Sequence, residues 1–331
     1  MLIKGSATIE RFKYWGRKWR IVIMLDDGST IGHSDGTTTT TGTGLDVSSM
    51  RVLFRVKRNI QLSKQTATLT IYNLNRNTEK IIISRATKVF IEAGYADGVN
   101  YGSIFSGDIW QTLRGKDGKV NYTLVIKAIS DQDAMNWGLS KFAIRRGSNY
   151  RDLLDSCAKN SNVPLEIGNI PEGWGEQIKF SRGFSTTGNV KDILKGIADS
   201  TNSIISIDNG KINVYTLEVP KIDDEVFDLN YKSGLIGQPV QTKEGVNFSC
   251  LLNPRIAINT WVHINNAYIQ EIETDFGENL IPSLDVDGLY RVVETEFVGD
   301  TRGNDWQMNN LGITQSGVLP TFLADTQQEG I

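Results

Sequence analysis

Two histidines, His33 and His263, bound the acid–base chemistry open to this 331-residue chain. A Ser-His-Asp relay would have to recruit one of them, and neither adjoins a strand-turn-helix nucleophile elbow. His33 sits beside a threonine-rich stretch, and His263 shares a strand face with Trp261, the setting of a structural histidine. Glu294 and Glu296 lie two apart in an alternating segment, so both project from one strand face, as the acid and nucleophile of a glycosidase could. The wet side of an amphipathic strand produces the same spacing, and no matched cleft is legible around them, so they read as solvated carboxylates. Asp223-Asp224-Glu225 and Asp131-Gln132-Asp133 read as linker and helix-start charges. No catalytic residue is assigned.

Metal and cofactor chemistry fares no better. Asp285-Val286-Asp287-Gly288 has the look of the middle of a calcium loop, but it lacks a third spaced ligand and the closing Glu, and a turn before the next strand accounts for it. The sequence holds no CxxC, no HExxH and no glycine-lysine phosphate loop, and no helix follows Gly42-Thr43-Gly44 to aim its N-terminus at phosphate. Cys157 and Cys250 lie far apart and read as small buried hydrophobes rather than a disulfide. No metal and no cofactor is expected. Near the N-terminus, Tyr14-Trp15 with Arg11, Lys13, Arg17, Lys18 and Arg20 forms a basic and aromatic patch. It either faces nucleic acid or an acidic protein, or belongs to an amphipathic first element docking on a neighbour. The other tryptophans are scattered and make no sugar platform.

The elements that would position these residues are mostly strands. Val52, Phe54 and Val56 alternate on one face and Ala67, Leu69 and Ile71 on another, giving a strand pair with one wet side. Their connection, Asn59-Ile60-Gln61-Leu62-Ser63-Lys64, is longer than a tight turn and carries two apolar residues; it is either a hairpin tip that touches a partner or an ordinary loop. Further strands are expected at Arg20 to Leu25, Lys88 to Tyr95, Tyr101 to Leu113 and Lys119 to Ser130, with the tract from Gly36 to Gly44 a mobile loop. From Asn149 the spacing turns helical after the cap Ser148, with Tyr150, Leu153, Leu154 and Cys157 on one face; a strand follows at Val163 to Ile167. Gly188-Asn189 opens a second helix, followed by strands at Ser203 to Ile207 and Lys211 to Leu217. Strand texture returns at Val226 to Tyr231, Val246 to Leu252, Trp261 to Ile272, Leu289 to Val298 and Asp305 to Ile313. Several short strands at regular spacing point to a barrel or sandwich on either side of a small α+β module.

With 39% hydrophobic and 22% charged residues the chain is an ordinary folded protein, and a net charge of -3 leaves no basic excess to hold nucleic acid. Its apolar runs, such as Ile21 to Leu25, are far shorter than the roughly 20 residues of a membrane-spanning helix. The opening Met1 to Ser6 has no signal-peptide core, so synthesis and retention in a cytoplasm are expected.

The order of parts and several strings resemble the baseplate hub proteins of contractile phage tails, a family related to the hub part of type VI secretion spikes. Ala67-Thr68-Leu69-Thr70-Ile71-Tyr72-Asn73-Leu74, Ile104-Phe105-Ser106-Gly107-Asp108-Ile109 and Val125 to Asp131 are similar to that family's first tube-like domain. Ile236-Gly237-Gln238-Pro239, Gly245-Val246, Leu252-Asn253-Pro254-Arg255-Ile256, Gly288-Leu289-Tyr290-Arg291-Val292, Gly299-Asp300 and Asp305-Trp306 are similar to its second. The resemblance implies a mainly β fold with an α+β insert: a first tube-like β-barrel domain over 1–135, the insert over 136–220, a second tube-like barrel over 221–315, and a flexible tail over 316–331. It implies a structural, non-enzymatic virion protein of the tail baseplate, a homotrimer whose six barrels adapt a six-fold tail tube to a three-fold central spike and line the DNA channel. Tail tube, spike, other baseplate proteins and the tape measure are the implied partners, without specific nucleic-acid binding or membrane insertion. A cell-wall-degrading tail enzyme and a carbohydrate-binding tail protein are the alternatives.

Overall fold

Alternation of β-branched and polar residues, the pattern that suits a half-buried pleated surface, dominates the chain and gives it a mainly β fold. The computed structural model describes residues 16–25, 44–60, 65–96, 100–130, 137–208, 210–216, 226–271, 284 and 286–314. Before the insert come β1 (Arg17–Leu25), β2 (Gly44–Asp46), β3 (Val52–Asn59), β4 (Thr66–Tyr72), α1 (Arg76–Arg85), β5 (Ala86–Tyr95), β6 (Tyr101–Asp117) and β7 (Asn121–Ile129). The insert contains β8 (Leu139–Ile144), α2 (Tyr150–Lys159), β9 (Glu166–Ile167), β10 (Phe184–Asn189), α3 (Val190–Thr201), β11 (Ser203–Asp208) and β12 (Lys211–Thr216). After it come β13 (Val226–Leu229), β14 (Leu235–Thr242), β15 (Gly245–Leu251), β16 (Trp261–Ile264), β17 (Leu289–Asp300) and β18 (Trp306–Thr314).

Two compact units result, the first drawing on Met1–Asn59, Thr66–Ala128 and Val219–Ile331, the second on Ile60–Gln65 and Ile129–Glu218. In the first, strands from both sides of the insert share one 13-stranded sheet, in the order β14-β15-β18-β17-β3-β4-β7-β6-β5-β1-β2, with β16 on β17 and β13 on β16. The join is β3 on β17, antiparallel, pairing Val56 with Phe297 and Phe54 with Gly299. Val52, Phe54 and Val56 pair with Ile71, Leu69 and Ala67 across β3 and β4, so the two alternating faces read from the sequence line one core. That core also takes Ile91, Ile126, Phe248, Tyr290 and Phe297, residues drawn from both sides of the insert.

The turn between β17 and β18 is tied to the N-terminal strands. Asp300 accepts hydrogen bonds from Arg51 (Nη2, 2.7 Å) and from the Arg302 amide (2.9 Å). The Val52 amide donates to Thr301 Oγ1 at 2.9 Å, and Arg17 donates to the carbonyls of Gly303 and Asn304 at 2.6 and 2.8 Å. Trp19, Trp306 and Phe54 meet edge to face beneath, with the Arg17 guanidinium over the Trp306 ring. Arg17 of the N-terminal basic patch therefore docks on its own sheet, and Lys18 lies 4.2 Å from the Tyr101 ring centroid. Residues 11–15 of that patch, His33, the threonine tract up to residue 43, and the tail from 315 lie outside the described residues.

In the second unit α2 packs on β8, β9 and α3, and α3 packs on β10 and β11, closing a core that holds Leu154, Cys157, Leu194, Ile205 and Val214. The cap of α2 is Asn149 rather than Ser148: its side chain accepts from the Asp152 amide while Asp152 accepts from the Asn149 amide, a reciprocal capping box. Asn189 caps α3 as the sequence indicates. Other expectations need correction. Helix α1 is not foreseen, β14 is not foreseen, and the strand expected over Trp261 to Ile272 stops at Ile264, where the Asn265 side chain accepts from the Ala267 amide and turns the chain.

Candidate functional site

The residues that alternate with the core on β3, β4, β15, β17 and β18 form a second, polar face. Its rungs follow from the registers: Ser249, Asn309, Glu296, Lys57 and Thr66 stand side by side on successive strands, and Leu251, Gln307, Val298, Arg55 and Thr68 form the next row. At about 4.8 Å per strand such a row extends about 19 Å. It runs without interruption from the C-terminal strands to the N-terminal ones.

Charge on this face is neutralised within it. Glu296 lies 3.6 Å from both Arg55 Nε and Lys57 Nζ, ion pairs too long to be hydrogen bonds, and accepts a hydrogen bond from Asn309 Nδ2 at 3.3 Å. Ser249 Oγ donates to Asn309 Oδ1 at 2.9 Å, extending the row. Glu294 and Glu296 share the face, as their spacing predicts, and both line a polar cavity of about 460 Å3 with Lys57, Gln238, Asn247 and Ser249. Burial pushes the Glu294 carboxyl above its ordinary value; Lys57 opposes the shift, and Glu244 and Glu296 add to it. One carboxylate is thus engaged by two cations and the other is partly desolvated. The arrangement is hydrophilic, and its charges are already matched.

Just behind the face, Thr295 Oγ1 donates to Asn310 Oδ1 at 3.0 Å and Asn310 Nδ2 reaches Cys250 Sγ at 3.5 Å. Both cysteines are free and buried, and burial pushes their thiols up to about 11 for Cys157 and about 12 for Cys250, which leaves them inert at neutral pH. His263 Nδ1 lies 2.7 Å from Asp228 Oδ1 on the parallel β13–β16 pair, an exposed contact of little energetic weight. Gly288, at φ +67, turns the chain into β17, as the turn reading of Asp285 to Gly288 requires; Asp285 itself lies outside the described residues. Of the connection singled out as a partner contact, Asn59 is half-buried, Ile60 is fully buried in its own chain, and Gln61, Leu62, Ser63 and Lys64 lie outside the described residues.

The sequence reading missed a second surface. Strand β6 pairs with β5 only from Tyr101 to Asp108, so its remaining residues continue past that partner as a ribbon with β7. Trp110 (70% exposed), Val120 (80%) and Tyr122 (56%) lie on that ribbon, and Ile81 and Ile83 are exposed on α1. Between α1 and the ribbon opens a cavity of about 540 Å3 rimmed by Arg76, Lys80, Arg114 and Lys116. Among the described residues the one carboxylate on its rim, Glu79, accepts from Arg114 at 2.6 Å.

Over residues 37–272 the sequence matches the family described as baseplate hub gp41. Among solved structures the fold is similar to the 43 kDa tail protein of prophage MuSo2 from Shewanella oneidensis, at 10% identity and a TM-score of 0.51, covering 90% of this chain and 97% of that one. It is similar also to a tail protein from Neisseria meningitidis MC58, at 10% identity and a TM-score of 0.50, with the same coverages. A component of the E. coli type VI secretion system aligns at 6% identity and a TM-score of 0.47, over 82% of this chain and 76% of that one. No curated protein matches the sequence.

Proposed function

The chain belongs to the baseplate hub gp41 family, and from that premise we propose that it is the structural hub of a phage-type tail baseplate: a homotrimeric ring that adapts a six-fold tail tube to a three-fold central spike and lines the DNA channel. The observation that carries this reading is the single sheet built from both sides of the insert, joined at β3–β17. In each copy the N-terminal and C-terminal strands act as two successive wall segments, so three copies supply six. The polar face is the side turned to the channel. Hydroxyls, amides and carboxylate-matched cations offer DNA few unpaired positive charges to release counterions against, so the strand slides.

In this role the protein sits in the virion tail baseplate, is made in the host cytoplasm, and performs no catalysis. Its partners are the tail tube protein, the central spike protein, other baseplate proteins and the tape measure, with the connection from Asn59 to Lys64, apart from the buried Ile60, a contact to one of them. Native mass spectrometry together with class-averaged electron microscopy tests the proposal. A mass of three chains and a central pore are expected; a stable monomer at tens of micromolar, or particles with no pore, would overturn it.

The Glu294–Glu296 pair gives a cell-wall hydrolase its one foothold. Among the described residues the cavity it lines has Phe248 as its one aromatic residue, and that ring is buried, so it offers a sugar no stacking surface. A turbidity assay on cell walls is expected to show no clearing by the full chain. A carbohydrate-binding role is expected to fail on a glycan array, because the tryptophans are scattered along the chain and make no sugar platform.

A further inference from the structure

The net charge of -3 conceals a division along the chain. Residues 1–128 carry 19 Lys and Arg against 10 Asp and Glu, residues 129–218 carry 10 against 11, and residues 219–331 carry 6 against 17. Among the described residues the division persists, with 15 Lys and Arg against 5 Asp and Glu up to residue 128 and 5 against 8 from residue 226 on, and the two sets lie on opposite sides of the β3–β17 join in one sheet, so a single copy presents a positive half and a more acidic half. The positive half has a built surface, the cavity rimmed by Arg76, Lys80, Arg114 and Lys116, with exposed Ile81, Ile83 and Trp110 in the same elements. On the negative half the carboxylates of Asp228, Glu244, Glu271 and Asp305 are exposed.

We propose that the basic α1/β6–β7 surface of one copy docks on the acidic C-terminal strands of a second copy. The inference rests on the ring reading above and supplies the contact that would close it. Mating basic surface to basic surface places like charges together, whereas joining unlike halves complements them. A contact between two different surfaces of the same chain is heterologous, and repeated with a rotation that closes after three copies it generates a ring rather than an open filament. The apolar side chains supply the dehydrated centre of the contact, and the charges set its register and its rate of formation.

Sedimentation velocity of the full chain over a salt series tests this. Assembly is expected at low salt and loss of assembly near 1 M NaCl, where the screening length falls to about 3 Å. The double reversal Lys80→Glu/Lys116→Glu is expected to weaken association at least about a hundredfold, the effect of several kcal/mol of like-charge contact. Glu244→Lys/Glu271→Lys should do the same, and the chain carrying all four changes should reassemble, since its halves are complementary again. Recovery in the fourfold variant also rules out misfolding as the cause of the losses. A wild-type trimer indifferent to salt and to both reversals overturns this inference and leaves the ring standing; a monomer at every salt overturns the ring reading itself. Assembly unchanged in Lys80→Glu/Lys116→Glu, together with a duplex DNA shift by the wild type that this variant loses, also overturns it, making the surface a nucleic-acid site.

Discussion

Replacing Asp300 with alanine tests whether the β17–β18 turn helps hold the β3–β17 join together. Asp300 is 5% exposed, and its carboxylate accepts from Arg51 and from the Arg302 amide. Burial pushes its carboxyl up, but the Arg51 hydrogen bond, the Arg302 and Gly303 amides and the Arg51 charge outweigh that and hold it below the ordinary 3.8. A hydrogen bond to a charged group contributes about 1.5–3 kcal/mol. Because the Arg51 side chain is 44% exposed, its share is screened to below about 1 kcal/mol. Together these give a cost of about 2–3 kcal/mol for Asp300→Ala, against less than about 1 kcal/mol for Arg51→Ala. In a unit of this size, that is a fall in Tm of about 4–12 °C for the aspartate variant. A depressed carboxyl contributes stability that is present above its unfolded pKa and lost as pH falls through the folded value, so the gap should be full at pH 7 and close below pH 3.8. Calorimetry of wild type and both variants at neutral and acid pH reads all of this. A gap under about 1 °C at pH 7, or one that persists unchanged in acid, would refute the reasoning.

The sign reverses at Glu294. Its raised carboxyl contributes stability that is complete below the ordinary 4.5 and lost as pH rises through the folded value, so Glu294→Gln should raise Tm at pH 7 and leave it unchanged at pH 4. Leu154→Ala, at a fully buried position in the insert core, should cost about 2–5 kcal/mol, seen as a lower urea midpoint. Gly245→Ala should cost more than Gly237→Ala in thermal unfolding, because at φ +151 its new methyl would meet the Gly312 carbonyl, whereas Gly237 at φ +68 has open space.

Much of the local structure is legible in the sequence. The alternation of Val52, Phe54 and Val56 against Ala67, Leu69 and Ile71 identifies β3 and β4, and Asn189 marks the start of α3. Helix α1 hides because Ile81, Ile82 and Ile83 make an apolar run without helical spacing, of which only Ile82 is buried; its local signals are Asn75, whose side chain accepts from the Asn77 amide, Glu79 in the first turn and Arg85 in the last. Strand β14 hides because Gly237 and Pro239 interrupt it, and its register with β15 shifts between Ile236 and Val240. At the site, two-residue spacing correctly places Glu294 and Glu296 on one face, but nothing local reveals that Arg55 and Lys57 neutralise Glu296, since those partners lie on β3. The division of charge is readable by counting segments separately, and the whole-chain total erases it.

The β3–β17 join has a consequence for synthesis. Val56 and Phe297, paired across it, are 241 positions apart, so β3 emerges from the ribosome long before its neighbour exists. At roughly 5–20 residues per second that interval is about 10–50 s, during which one flank of β3 has hydrogen-bonding groups with nothing to pair with. A nascent or prematurely terminated chain is therefore sticky in a way the finished one is not, and full-length translation is what blunts that hazard.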